Sequence, residues 1–208
     1  CGVYLAHMFE IAGQPDTAHI VELGPGRGSL MIDMHHIWTQ IMPKMANLPI
    51  QLVETSPRLR TIQKQRIKAV SLEWHDDVQS LPNAAFFGIA NEFFDALPID
   101  QAVWRKGAWR HRLVTDVRGS CGFTDGPALT LPELKRWQIT NNQNDMLEGS
   151  IAEYCPTAEP IVGQLARRIA SYGGACVIID YGKNDNFNDT LQAVQAHKPV
   201  DLFYQPGN

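Results

Sequence analysis

Five short runs rich in β-branched and aromatic residues recur along the chain, at His19–Leu23, Ile50–Val53, Leu72–His75, 85–90 and 175–180, and each has the length of a strand rather than of a helix. Apolar runs of this kind suit strands covered on both faces, the usual condition of a parallel sheet. Parallel neighbours need long crossovers, and the segments between the runs have helical spacing. Leu30, Met34, Ile37, Trp38, Ile41 and Met45 repeat every three or four residues after the first run, and Pro43 marks where regular helix fails. Ser56 can cap a helix opened by Pro57 and continued through Leu59, Ile62 and Ile67. Before the fifth run, Pro156 opens a helix with Ala158, Ile161, Val162, Leu165, Ile169 and Tyr172 on one face, closed by Gly173-Gly174. This alternation predicts an α/β fold: a mainly parallel sheet with right-handed crossovers and helices on both faces.

One stretch departs from it. Residues 101–124 alternate polar and apolar side chains around Lys106-Gly107 and again around Arg118-Gly119, the pattern of an antiparallel hairpin or meander. Residues 130–153 are polar and weakly periodic, with Asn141-Asn142-Gln143-Asn144 in the middle, and are expected as an excursion over one edge of the sheet. At 208 residues the chain has the size of one domain, so 101–153 is expected as a lobe inserted into a single domain spanning 1–208. It opens on Cys1 and stops at Pro206-Gly207-Asn208 just after an apolar stretch, as expected of part of a longer polypeptide.

Composition narrows the function classes. With 44% hydrophobic and 19% charged residues a packed core is expected, and 18 Lys plus Arg against 22 Asp plus Glu give a net charge of -4, no broad cationic field for nucleic acid. The apolar runs fall well short of the roughly 20 residues that cross a bilayer, so no membrane insertion is expected. The cysteines, at positions 1, 121, 155 and 176, are spaced too irregularly for a metal site or a disulfide framework and read as thiols in a reducing compartment. His35 and His36 are adjacent on the first helix and point apart, so they read as surface or half-buried side chains rather than metal ligands.

The most informative string is Val21-Glu22-Leu23-Gly24-Pro25-Gly26-Arg27-Gly28, between a strand and a helix. Glycines there allow a sharp turn and close approach of a ligand to the backbone, though a tight Gly-Pro turn with no ligand would read the same way. A dinucleotide fingerprint wants Gly or Ala where this chain has Ser29, and places its acid after the glycines rather than before them. Glu22 precedes Gly24; a carboxylate there would oppose a pyrophosphate but pair with an ammonium, as in the methionine part of S-adenosylmethionine. Glu54 ends the second run, where it could accept both hydroxyls of a ribose, or stand as a solvated acid beside Arg58 or Arg60. Asp76 and Asp77 follow the third run and could bond an adenine amino group or cap a turn. Beyond the fourth run, Asn91, Glu92 and Asp95 face the reacting end of anything bound over the glycine turn, and the two acids can grip a guanidinium in line with a methyl donor. Phe93, Phe94 and Leu97 read mainly as core.

ELGPGRGSLM at 22–31, ANEFFDALPID at 90–100 and ACVIIDYG at 175–182 resemble the MidA family of class I S-adenosylmethionine-dependent methyltransferases, over most of the chain. The resemblance implies a Rossmann-like methyltransferase fold with an inserted lobe, S-adenosyl-L-methionine as cofactor and a protein arginine as substrate. The family includes a mitochondrial complex I assembly factor, so a complex I subunit homologue is the implied partner, in the mitochondrial matrix of a eukaryote or the cytoplasm of a bacterium. Carried over by position, Glu22, Gly24, Gly26 and Gly28 match the cofactor motif, Glu54 the ribose-binding acid, and Asn91, Glu92 and Asp95 the substrate-facing loop. Tyr181 and Gly182 match a segment to which spacing assigns no role. Family members carry further segments on both sides of this stretch. A non-catalytic cofactor-binding assembly protein working through 101–153, a small-molecule methyltransferase and a homo-oligomer stay open.

Overall fold

The computed structural model describes residues 1–68, 71–117, 119–139, 146–182, 187–196 and 198–204. Arg118 of the second expected turn, the 141–144 stretch and Pro206-Gly207-Asn208 lie outside them. Along the chain run strands β1 (His19–Leu23), β2 (Ile50–Val53), β3 (Leu72–His75), β4 (Phe86–Asn91), β5 (Asp100–Arg105), β6 (Ala108–Val117), β7 (Ser120–Ala128), β8 (Ile151–Tyr154), β9 (Gly174–Ile179), β10 (Ala193–Gln195) and β11 (Lys198–Val200). The helices are α1 (Gly2–Ile11), α2 (Ser29–Ile41), α3 (Pro43–Ala46), α4 (Pro57–Arg66), α5 (Leu131–Arg136) and α6 (Ala158–Tyr172). No helix among the described residues is long and apolar enough to cross a membrane. The chain divides into two units, Cys1–Leu97 with Thr157–Gly182, and Pro98–Pro156 with Lys183–Asn208.

In the first unit the expected parallel sheet forms in the order β3-β2-β1-β4-β9. Strand alternation sorts its side chains into two cores. Ile20, Ile50, Leu52, Phe87 and Ile89 pack with Leu5 and Phe9 of α1 and Met31, Met34 and Trp38 of α2, while Val21, Leu23, Val53, Phe86 and Ala90 pack with Leu165 of α6. Helices therefore cover both faces. Helix α1 is absent from the expectations above, although Gly2, Leu5, Ala6 and Phe9 are buried at helical spacing. The Trp38 indole donates to the Gly2 carbonyl at 2.8 Å and ties α1 to α2. Ser56 caps α4 as expected, accepting from the Leu59 N–H at 3.4 Å with Pro57 in the first turn. Helix α6 begins at Ala158 rather than Pro156, and Gly173 closes it at φ 84°.

Within the first unit the alternation of strand and helix breaks once, between β3 and β4. There Asp77 Oδ1 accepts from the Ser80 N–H at 2.8 Å, Val78 and Leu81 fill the second core, and Arg168 of α6 donates to the Gln79 and Pro82 carbonyls at 2.9 Å each. A side chain from the neighbouring helix thus supplies hydrogen bonds that a helix would have made internally.

The second unit holds an antiparallel sheet in the order β7-β6-β5-β8. The expected meander is present and runs on to Ala128. Residues 130–153, expected as an irregular excursion, instead supply α5, with a Thr130/Glu133 capping box, and β8, which pairs with β5. Trp104, Trp109, Leu129 and Ala152 form the core, and Phe187 stacks on Trp109 with centroids 5.4 Å apart. Asp189 accepts from Arg112 at 2.6 Å and from Gln101 at 3.0 Å.

Gly174 opens β9 at φ 112°, where a methyl group would stand 1.9 Å from the Phe86 carbonyl oxygen of β4. Gly174→Ala is expected to lower unfolding free energy by about 3 kcal/mol or more, from clash and backbone strain together. Urea denaturation followed by circular dichroism checks this; a loss below about 1 kcal/mol would show that β9 pairs differently.

Candidate functional site

The register brings the carboxyl ends of the parallel strands to one edge. Leu23 of β1 lies opposite both Val53 of β2 and Ala90 of β4, Val53 opposite His75 of β3, and Asn91 of β4 opposite Ile179 of β9. The ladder continues past the strands, with Gly24 N–H donating to Val53 at 3.0 Å, Glu54 N–H to His75 at 3.0 Å and Glu92 N–H to Ile179 at 2.8 Å. Glu54, Gly24, Asn91-Glu92 and Asp180 therefore leave the sheet side by side. Strand order reverses direction between β1 and β4, the place where open α/β sheets bind ligands.

Gly24, Gly26 and Gly28 have φ of 61°, 52° and 77°, so the turn expected from their spacing is built on three left-handed glycines. Methyl groups would stand 2.8 Å from Phe93 Cδ2 at Gly24 and 2.9 Å from Ile67 Cδ1 at Gly28. At Gly26, next to Pro25, one would meet nothing within 4 Å: the middle of the turn faces open space and its rims are packed.

Glu22 stands just before this turn. It is 3% exposed, and its Oε2 has no hydrogen-bond partner among the described residues. Burial pushes its carboxyl from an ordinary 4.5 up to about 8. A buried polar atom without a partner is rare and costly, and a cationic ligand would satisfy it.

The acid at the end of β2 is held differently. Glu54 Oε1 accepts from the Ser56 N–H at 2.8 Å, Oε2 from Gln63 Nε2 at 3.2 Å, and its carbonyl accepts from Arg60 Nε at 2.6 Å. Arg60 also reaches Asp76 at 2.6 Å. Asp77 is turned into its own loop, where the Ser80 hydrogen bonds hold its carboxyl below the ordinary value. Gln63 was not among the residues singled out from sequence; the available signal was a polar residue on the sheet-facing side of a helix.

Across the switch point, Glu92 has φ 49° and is exposed, Asn91 is half-buried as the last residue of β4, and Asp95 follows on the loop. Asp180 organises them: its Oδ2 accepts from the Phe94 and Asp95 N–H groups at 2.9 and 3.1 Å, its Oδ1 from the Tyr181 N–H at 2.8 Å. Partial burial, then the charges of Asp180 and Glu92, raise the Asp95 carboxyl above its ordinary value. Glu92, by charge and by hydrogen bond, raises the Tyr181 hydroxyl. Such a concentration of acid suits a cation. Asp180 was quoted from sequence only within its motif; a carboxylate one residue past a parallel strand was the signal. Among the described residues no His, Cys, Asp and Glu grouping could hold a metal ion.

Glu22 sets a pH dependence. Its carboxyl binds a proton more tightly folded than unfolded, so its contribution to stability is fully present below pH 4.5 and is lost as pH rises toward about 8. Glu22→Gln, which cannot ionise, is expected to flatten this slope: relative to the parent it gains stability between pH 5 and 8, by up to about 4 kcal/mol. Denaturant midpoints across that range check this, and parallel curves for the two proteins would contradict it.

Comparison with known proteins places these features. The whole chain, residues 1–208, matches a family described as S-adenosyl-L-methionine-dependent methyltransferases. It is 34% identical over 235 residues to the protein arginine methyltransferase NDUFAF7, mitochondrial, of Xenopus tropicalis, covering 99% of this chain and 53% of that protein. To the Homo sapiens protein of the same name it is 28% identical over 233 residues, covering 99% and 51%. The chain spans about half the length of the curated relatives it matches. A solved Burkholderia thailandensis structure bound to S-adenosyl-homocysteine superposes with a TM-score of 0.71 at 24% identity, over 88% of this chain and 46% of that one, a likeness of fold. The fold is that of the Rossmann-like methyltransferases, and the chain belongs to the S-adenosyl-L-methionine-dependent methyltransferase family.

Proposed function

We propose that this chain is an S-adenosyl-L-methionine-dependent methyltransferase acting on a protein arginine side chain. The buried Oε2 of Glu22, without a hydrogen-bond partner among the described residues and beside an open glycine turn, carries the proposal. Glu22 would hold the ammonium of the cofactor's methionine part, Gly24, Pro25, Gly26 and Gly28 would pass close beneath it, and Glu54 would accept the ribose hydroxyls on the lone pairs left by Ser56 and Gln63. Asp76 or Asp77 would stand toward the adenine. When bound, the cofactor supplies an electrophilic methyl group on a sulfonium.

The chain's own work is positioning. Glu92 and Asp95 take the substrate guanidinium and hold its planar fork, and Asp180 keeps their loop in place through the Phe94 and Asp95 amides. An arginine pKa of about 12.5 to 13.8 makes removal of the proton before attack costly, so the proton leaves late, as the nitrogen becomes cationic. Asp95, whose carboxyl is raised by desolvation and then by the charges of Asp180 and Glu92, is the acceptor assigned to that proton. Relatives named protein arginine methyltransferases support the substrate class, and the MidA resemblance is the ground for taking a complex I subunit homologue as the target. The same relatives are named mitochondrial, which supports a matrix location for a eukaryotic chain; a bacterial one would act in the cytoplasm.

Calorimetric titration with S-adenosyl-homocysteine should show binding, weakened at least about tenfold by Gly26→Val, which sets a branched side chain at a left-handed φ. Because the ligand ammonium favours ionised Glu22, titration at pH 7 in buffers of different ionisation enthalpy should report release of about one proton. No binding by the unaltered chain would end the cofactor reading. Glu92→Ala should retain that binding and lose about tenfold or more in methyl transfer to an arginine of the complex I subunit homologue; undiminished transfer would remove the assignment of Glu92.

A further inference from the structure

Helix α4 fully buries one side chain among the described residues, and it is Gln63, 0% exposed. A helix that docks on a sheet ordinarily does so with an apolar stripe, so an amide in the most buried position calls for a reason. Its partners supply one. Gln63 Nε2 donates to the Gly26 carbonyl at 2.7 Å and to Glu54 Oε2 at 3.2 Å, and its Oε1 accepts from the Trp74 indole N–H at 2.7 Å. The surroundings allow one orientation of the amide: reversed, its NH2 would face the indole N–H and its oxygen would face two oxygens. Trp74 of β3 thus selects which end of the amide meets the glycine turn and the strand-end acid.

We infer that Gln63 is a positioning residue that couples the glycine turn to the ribose-facing acid, fixing the Gly26 backbone and the Glu54 carboxylate relative to each other through its two amide protons. The assignment rests on the reading of this strand edge as the cofactor site. Two elements from different strands must both meet one nucleoside, and among the described residues no other hydrogen bond of the Glu54 carboxylate reaches the turn: Ser56, its second donor, lies two residues along on its own segment. Gln63 takes one lone pair of Oε2 and Ser56 one of Oε1, which leaves each oxygen an acceptor site for a ribose hydroxyl. A carboxylate set in this way discriminates between ligands that carry the hydroxyl and ligands that lack it.

The test compares binding of S-adenosyl-homocysteine and of its 2′-deoxy analogue by calorimetry, in the unaltered chain and in Gln63→Met, a near-isosteric apolar replacement. The unaltered chain should prefer the hydroxylated ligand by about tenfold or more. In Gln63→Met, S-adenosyl-homocysteine should weaken by about tenfold and the preference should shrink toward unity, since Glu54 is no longer aimed. General loosening of the site would weaken both ligands by the same factor and leave the ratio intact; that outcome, or unchanged affinity for both, overturns the assignment. Should Gln63→Met fail to fold, Trp74→Phe keeps an aromatic ring against the first core while removing the indole donor that orients the amide, and should lower the same ratio by a smaller factor; an unchanged ratio there also overturns it. Absence of binding by the unaltered chain would instead overturn the cofactor reading, and this inference with it.

Discussion

Parallel pairing with Leu23 opposite both Val53 and Ala90, and Asn91 opposite Ile179, makes the chain leave β2, β1, β4 and β9 within about one residue of the same level. Neighbouring strands are spaced by about 4.8 Å, so the residues that follow them form a row along one edge. That row holds Glu54, the glycine turn, Asn91-Glu92 and Asp180, with Glu22 just inside it. A one-residue slip of β1 would carry Glu22 to the opposite face and put Val21 in its place. The two hydrophobic cores, which alternate residue by residue along β1, β2 and β4, oppose that slip, and in doing so they hold the acids in line.

The same row is costly to fold around. Desolvation raises the carboxyls of Glu22 and Asp95, and at Asp95 the charges of Asp180 and Glu92 add to it. Most of these groups are offset by donors: Arg60 for Asp76, Ser56 and Gln63 for Glu54, and three backbone amides for Asp180. Glu22 Oε2 has none among the described residues, although position 22 shares the face of β1 that carries Ile20 into the first core, where an apolar residue would be expected. On the reading proposed above, a local rule broken inside an otherwise consistent strand is the place where stability would give way to binding.

How much of this was legible in the sequence depended on whether the signal was local. The strands, the capped start of α4 and the glycine turn follow from residues adjacent in the chain, and so does the position of Glu22 and Glu54 at strand ends. Gln63 and Asp180 act on partners far away in sequence, Gly26 and the loop at Phe94 and Asp95; a polar residue on a helix face and a carboxylate just past a strand were the local signals, and neither reveals its partner. The capping role of Asp77 was one of two open alternatives, because both require the same residue after the same strand. Helix α1 was missed although its buried positions have helical spacing, since a four-residue stripe without capping signals competes poorly with the stronger patterns that follow it. The link from β3 to β4 lacks the helix that alternation suggests because Arg168, contributed from α6, satisfies its carbonyls, and no local pattern reveals a donor so distant in the chain.

The two halves of the row differ in a way that suits two kinds of ligand. On the β1–β2 side the polar groups are buried, with Gln63 completely enclosed and Glu54 and Glu22 nearly so, and the Ser56 amide and Gln63 fix the Glu54 carboxylate. A site of that kind meets a ligand of one shape and gains from having its geometry fixed in advance. On the β4–β9 side Glu92, Asp95 and Tyr181 are exposed, and a single carboxylate, Asp180, holds their loop through backbone amides. Backbone anchoring fixes where the loop runs while leaving the acidic side chains to adjust. A guanidinium carried on another protein has to arrive from solvent on a bulky support, and the half of the row that would receive it is the half that solvent reaches.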